Sequence, residues 1–210
     1  MITQVRHFSE RDWPCRAWFK VKKAGKVVYE NNFRTIDPVG AGFGFYLPRK
    51  QPNSNYFVVE KDGDYDSKLF LIRKDGAVTE LLGGWYFVTG NLRYLICENS
   101  EAEEGNTQVF DFKEGKVTYS EKIPVTNAYR KGDLYFYPRI TLSNEGEEIE
   151  SRKEVFIFDP IKSGFVRKDI SEDFFVGATK VIYDFVTNGD GETACGCDKN
   201  RKPTLFVPGH

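Results

Sequence analysis

Three aspartates alternate along one short stretch, Asp62-Gly63-Asp64-Tyr65-Asp66-Ser67. Carboxylates at alternate positions of a tight turn can converge on a hard cation, which makes Asp62, Asp64 and Asp66 the candidate calcium ligands. The stretch departs from the EF-hand loop at two places. Ser67 stands where the sixth position wants glycine, and Arg73 where the twelfth wants a bidentate glutamate. An ordinary Asp/Gly turn has the same composition. Asn188-Gly189-Asp190-Gly191-Glu192 is a weaker echo of the pattern.

Thiol and nucleophile chemistry is less well supplied. Cys195-Gly196-Cys197 sets two thiols on one face of an extended strand, but no second Cys-x-Cys or Cys-x-x-Cys completes a zinc set. With Cys15 and Cys97 the cysteines number four, read as reduced thiols; two bridges are the alternative, with three pairings open. His7 and His210 are the only histidines, so Ser-His-Asp or Cys-His catalysis would rest on His7, and no Gly-x-Ser-x-Gly elbow accompanies it. Gly40-Ala41-Gly42-Phe43-Gly44 follows a proline and leads into a strand pattern, which is not the setting of a phosphate-binding loop. Glycoside hydrolysis needs two carboxylates facing one cleft; 31 acids supply many pairs and the sequence marks none.

Recognition chemistry has more to work with. Trp85, Arg93, Tyr129 and Arg130 set aromatic and guanidinium groups on or beside predicted inner strands, and these four are the candidate ligand-binding residues. Tyr86, Tyr94, Tyr135 and Tyr137 lie in the same segments, where large apolar rings also build cores.

The element that positions all of these is a repeat. Trp18-Phe19-Lys20-Val21 followed by Lys23, Gly25 and Val27 recurs as Leu69-Phe70-Leu71-Ile72 with Lys74, Gly76 and Val78. It recurs again as Val109-Phe110-Asp111-Phe112 with Lys113, Gly115 and Val117, and as Val155-Phe156-Ile157-Phe158 with Lys162, Gly164 and Val166. An alternating apolar strand, a Lys-x-Gly turn and a returning strand make a β-hairpin, the glycine taking the positive φ of the turn. Glycines 25, 76, 115 and 164 are spaced 51, 39 and 49 residues apart, close to the period of four-stranded propeller blades.

Two further strands precede each hairpin. The first set is Gly42 to Leu47, Trp85 to Thr89, Val125 to Tyr129 and Phe174 to Ala178; the second is Tyr56 to Glu60, Arg93 to Cys97, Leu134 to Pro138 and Val181 to Val186. Named A to D along each unit, these strands predict an all-β fold, a small β-propeller of about five antiparallel blades, in one domain over 1–210. An irregular β-sandwich or barrel is the alternative. The first unit lacks an A strand, and Thr204 to Val207 is the segment expected to fill that gap.

The loops then sort by charge. C-to-D turns and A-to-B loops carry Lys22, Lys23, Lys26, Arg73, Lys74, Lys113, Lys116, Lys162, Arg93, Arg130 and Lys131, a basic end. B-to-C loops, Glu60 to Asp66, Glu98 to Glu104 and Glu145 to Glu150 among them, form an acidic one. Solvated turn residues give the same pattern.

Composition sets the outer bounds. Eighteen Phe and 11 Tyr against one Met favour strands, and a net charge of -1 provides no bulk field for nucleic acid. No apolar run is long enough to span a membrane as a helix, and the first residues lack a signal-peptide pattern, which fits a cytoplasmic chain or a mature exported one. Together these readings point to a non-enzymatic binding or scaffold module that recognises a protein or glycan partner through its loop faces. A carbohydrate-active hydrolase using paired carboxylates is one alternative. A calcium-stabilised structural repeat is the other, and calcium is the sole cofactor implied.

Overall fold

The computed structural model describes residues 2–9, 15–35, 44–45, 49–50, 55–62, 68–83, 85–99, 106–123, 127–143, 148–182 and 204–206. Antiparallel strands account for nearly all of them. The first sheet contains β1 (Ile2–Ser9), β2 (Cys15–Lys23) and β3 (Lys26–Thr35). The second contains β4 (Gly44–Phe45), β5 (Arg49–Lys50), β6 (Tyr56–Asp62), β7 (Lys68–Arg73) and β8 (Val78–Leu82), with β4 and β5 both pairing β6. The third is β9 (Trp85–Val88), β10 (Tyr94–Asn99), β11 (Asn106–Asp111) and β12 (Lys116–Glu121). The fourth is β13 (Tyr129–Lys131), β14 (Leu134–Leu142), β15 (Glu148–Asp159) and β16 (Gly164–Asp169), with β17 (Thr179–Lys180) added beside β13. Finally, β18 (Thr204–Phe206) pairs with β1, in the register Thr3 to Phe206, and supplies the A strand missing from the first unit.

Each sheet is a meander of the kind that makes up a propeller blade. Among the described residues there are four such sheets, where the sequence counts about five units. The described strands of the fifth unit, β17 and β18, extend the fourth and first sheets instead of forming one of their own. Backbone contacts divide the chain into two compact units, 1–83 with 185–210, and 84–184.

In the first unit Phe19 and Val21 of β2 pack with Val59, Phe70 and Ile72, the Phe19 and Phe70 rings 4.9 Å apart. Leu69, Phe70, Leu71 and Ile72 are all buried, so β7 is covered on both faces and reads as a continuous apolar run in place of the expected alternation. The second unit has two clusters. One gathers Phe87, Tyr94, Ile96, Val109, Tyr135, Tyr137, Phe158 and Phe165 between the third and fourth sheets. The other centres on Phe136.

Phe174 to Ala178 is not a strand. Residues Glu172–Phe175 form a 3-10 turn, with Ser171 at its start and two acids in its first turn. Adjacent residues of a strand face opposite ways, whereas this turn lets both Phe174 and Phe175 pack on the Phe136 ring, at 4.9 and 5.4 Å. Of the companion segment Val181 to Val186, Val181 and Ile182 lie beyond β17 and the remainder is outside the described residues.

The repeated turn glycines serve two different needs. Gly25, Gly76 and Gly115 take φ of +78°, +93° and +67°, as the hairpin turn requires. In the fourth copy Ser163 takes the positive φ, at +51°, and Gly164 is needed for space: a Cβ there would lie 2.3 Å from Cδ2 of Tyr119. The absent side chain lets β16 close onto β12.

Candidate functional site

Antiparallel meandering puts the A-to-B and C-to-D turns of a sheet at the same end. In the second unit that end comprises residues 89–93, 112–115, 131–134 and 160–163. An open polar groove of about 480 Å³ lies there, lined by Arg93, Asp111, Glu114, Lys116, Thr118 and Ser163 with Val117 and Lys162.

Its floor is a buried carboxylate. Asp111 ends β11, and its Oδ2 accepts from Arg93 Nε at 3.1 Å and Nη2 at 2.8 Å. Its Oδ1 accepts the backbone N–H groups of Lys113 at 2.7 Å and Glu114 at 3.2 Å, which builds the C-to-D turn around the side chain. Burial, the largest single influence, pushes this carboxyl up. The Arg93 guanidinium and the two backbone donors together outweigh it and hold Asp111 below the usual carboxylate range. Arg93 also lies 4.8 Å above the Tyr94 ring, so its direction is fixed by both contacts.

The facing wall comes from the fourth sheet. Thr118 Oγ1 donates to the Ser163 carbonyl at 3.0 Å, and Tyr94 Oη donates to the Pro160 carbonyl at 3.0 Å. These two bonds staple the 160–163 turn to the third sheet and hold Lys162 at the groove. Neither Lys116 nor Lys162 makes an ion pair among the described residues, so both cations are available to a ligand.

The four predicted ligand-binding residues divide. Arg93 lines the groove, whereas Arg130 is not in the A-to-B loop expected for it but in β13, paired with Tyr135, its guanidinium 5.6 Å from the Tyr135 ring centroid and against Gly90. Trp85 is at the opposite end of β9, half-buried and paired with Glu98. Tyr129 stacks on Phe136 at 5.6 Å and donates to Glu150 Oε2 at 2.8 Å. Tyr86, Tyr94, Tyr135 and Tyr137 are buried. Asp64 and Asp66 lie outside the described residues, as do Asn188 to Glu192 and Cys195 to Cys197; Asp62 ends β6. Cys97 is a reduced, buried thiol.

No family model matches the chain, and no curated protein does. Solved structures are similar to it at low scores. The β-propeller domain of the Trilobed protease from Pyrococcus furiosus, with an open velcro topology, matches at 9% identity and a TM-score of 0.42 over 81% of this chain and 54% of that one. A eukaryotic initiation factor matches at 11% identity and 0.39, over 81% and 43%. A functionally unknown protein from Desulfotomaculum acetoxidans DSM 771 matches at 12% and 0.36, over 87% and 65%. The chain thus spans 43 to 65% of the length of these chains.

Five acids assigned to acidic loops belong to strands, Glu60 and Asp62 to β6, Glu98 to β10, and Glu148 and Glu150 to β15, and two of them have described partners. Glu98 lies in β10, 1% exposed, and accepts a hydrogen bond from the Tyr137 hydroxyl. Glu150 lies in β15 and is held by Tyr129 and by Asn127 Nδ2 at 3.4 Å. Both carboxylates are therefore internal polar links, not loop charges. The parts of the acidic loops at 63–67, 100–105 and 144–147 are outside the described residues.

Among the groove residues, Asp111 is hard to recognise from sequence because it sits inside an apolar strand pattern; its signal is that same oddity, an acid at the third position of Val109-Phe110-Asp111-Phe112, where the second and fourth copies carry Leu71 and Ile157.

Tyr129 offers a measurable consequence of its environment. Burial first, then the bond to Glu150 and its negative charge, push this phenol up to about 12, against about 10 when unfolded. A folded value above the unfolded one contributes stability that is complete below about pH 10 and lost as pH rises through about 12. Wild type should therefore exceed Tyr129→Phe by about 0.5–1 kcal/mol in urea melts at pH 8, and the gap should close by about pH 11–12. A gap that stays constant with pH would show that the fold does not raise this phenol.

Proposed function

We propose that this chain is a binding module whose recognition surface is the basic turn end of the 84–184 unit, and that its partner is a protein presenting an acidic segment. One observation carries the reading: Arg93, Lys116 and Lys162 line a single groove whose two walls are fixed to each other by the Thr118 and Tyr94 bonds. The groove holds three cations against Asp111 and Glu114, and Asp111 is already paired with Arg93, so Lys116 and Lys162 carry its positive excess; a preformed groove loses little freedom on binding, and that excess favours encounter with an anionic segment.

Asp111 itself is built into the structure: both its oxygens accept hydrogen bonds from Arg93 and from the turn backbone, and it is held below the usual carboxylate range, which is not the state of a general acid.

Lys116→Glu/Lys162→Glu reverses two exposed charges and leaves the Arg93–Asp111 pair intact. Fluorescence anisotropy with labelled Asp/Glu-rich peptides should show binding to wild type that weakens with salt, and at least a tenfold loss in this variant. Lys168→Glu, on exposed β16 away from the groove, should bind as wild type does. Equal binding by all three proteins, or none by wild type, overturns the reading.

A further inference from the structure

Two aliphatic side chains stand exposed at the same turn end. Ile161 is 93% exposed at the tip of the turn that carries Lys162, and Leu92 is 44% exposed beside Arg93. Single exposed aliphatics are ordinary on protein surfaces. Neither lines the groove itself, but each directly precedes a residue that does, Leu92 before Arg93 and Ile161 before Lys162, and their backbones are held: Ile161 N–H donates to Asp159 Oδ1 at 2.9 Å, and Leu92 N–H donates to the Thr89 carbonyl at 2.8 Å. Tyr94 reaches from two residues beyond Leu92 to the carbonyl of Pro160, next to Ile161, so the two turns are tied at this point.

Leu92 is also strained. Its φ is +57°, in the left-handed region that glycine and asparagine occupy readily and leucine does not. Nothing in the loop requires a leucine there. The side chain meets solvent, and the hydrogen bonds of the loop come from Thr89 and Asn91, whose side chains engage each other at 2.7 Å while Asn91 Oδ1 accepts Arg93 N–H at 3.1 Å. A strained, exposed apolar residue beside a charged groove is the arrangement expected where strain is retained for contact with a partner.

We propose that the ligand of this groove is a protein segment carrying a carboxylate cluster next to an aliphatic side chain, with Leu92 and Ile161 as the apolar anchors and Lys116 and Lys162, beside the Arg93–Asp111 pair, as the charge partners. This rests on the binding reading above and adds to it the apolar half of the recognition. Charge steers such a segment to the groove, and desolvated aliphatic contacts at its rim set how long it stays.

A random dodecapeptide display library panned on the full chain tests this directly. The expected result is enrichment of peptides that combine Asp or Glu clusters with Leu, Ile or Val. Their affinity should fall at least tenfold on Lys116→Glu/Lys162→Glu and about fivefold or more on Leu92→Asn and on Ile161→Ser. Leu92→Asn should at the same time melt about 2 to 4 °C higher, because asparagine accepts the positive φ; weaker binding by a more stable protein cannot come from misfolding. Enriched peptides that are acidic without aliphatic residues, and that ignore Leu92→Asn and Ile161→Ser, sink the anchor proposal and leave the charged groove standing. Peptides indifferent to the lysine reversal as well, or no enrichment above the bare support, sink both. Displacement by an anionic oligosaccharide but by no peptide would assign the groove to glycans and overturn the proposal.

Discussion

Gly164→Ala should lower the melting temperature by several degrees, although alanine ordinarily suits a strand residue better than glycine. The change has two opposed terms. Restricting the unfolded chain favours alanine by about 0.4–1 kcal/mol where the folded backbone is compatible. Against it, the new methyl would lie 2.3 Å from Cδ2 and 3.0 Å from Cγ and Cε2 of Tyr119. These are ring atoms near the root of the side chain, so the whole ring must shift, and it packs edge-on against Phe165 at 5.7 Å. Overpacking of this kind costs about 1–3 kcal/mol, which outweighs the entropic gain. A net loss of about 1–2 kcal/mol corresponds to roughly 2–8 °C for a chain of this size. The cost should shrink in a Tyr119→Leu background, where the obstructing ring is gone. An undiminished loss there would mean that Gly164 is needed for its backbone instead.

The comparison of Gly164 with its three counterparts shows what the sequence discloses and what it does not. The hairpin repeat is legible because a strand, a turn and a returning strand are local, and each leaves its mark within a few residues. All four hairpins form where the Lys-x-Gly pattern puts them. The reason for the glycine in the fourth copy is a contact with Tyr119, 45 residues away, and no local pattern reports it. The same distinction explains the other differences. Phe174 and Phe175 read as strand because they are aromatic, yet a ring at Phe136 draws both to one side. β1 escapes notice because Ile2–Ser9 mixes polar and apolar residues, and its partners are supplied by β2 and by β18, about 200 residues further along. At the candidate site the basic turns were legible as composition; the groove they form depends on Thr118 and Tyr94 reaching into another sheet.

Asp111→Ala should be among the most damaging single changes in the 84–184 unit, and its effect should depend on pH. The wild-type side chain is fully buried and accepts four hydrogen bonds, two from Arg93 and two from the turn it organises. Hydrogen bonds to a charged group contribute about 1.5–3 kcal/mol each in favourable cases, and they share one carboxylate here, so a total of about 2–4 kcal/mol is expected for its removal. Asp111→Asn should recover part of this, because its amide oxygen can still accept the N–H groups of Lys113 and Glu114 while its amide nitrogen opposes Arg93. Since the folded carboxyl is lowered, its stabilisation is present above the unfolded value of about 3.9 and fades as pH falls through the lower folded value. Urea melts at pH 7 and at successive steps below pH 4 should then show the wild-type advantage over Asp111→Ala contracting on the acid side. In the double variant with Arg93→Ala the combined loss should be smaller than the sum of the single ones, because neither partner is left facing an empty position. Strict additivity, together with a pH-independent difference, would show that Asp111 contributes through packing alone and that Arg93 is positioned at the groove by Tyr94 without it.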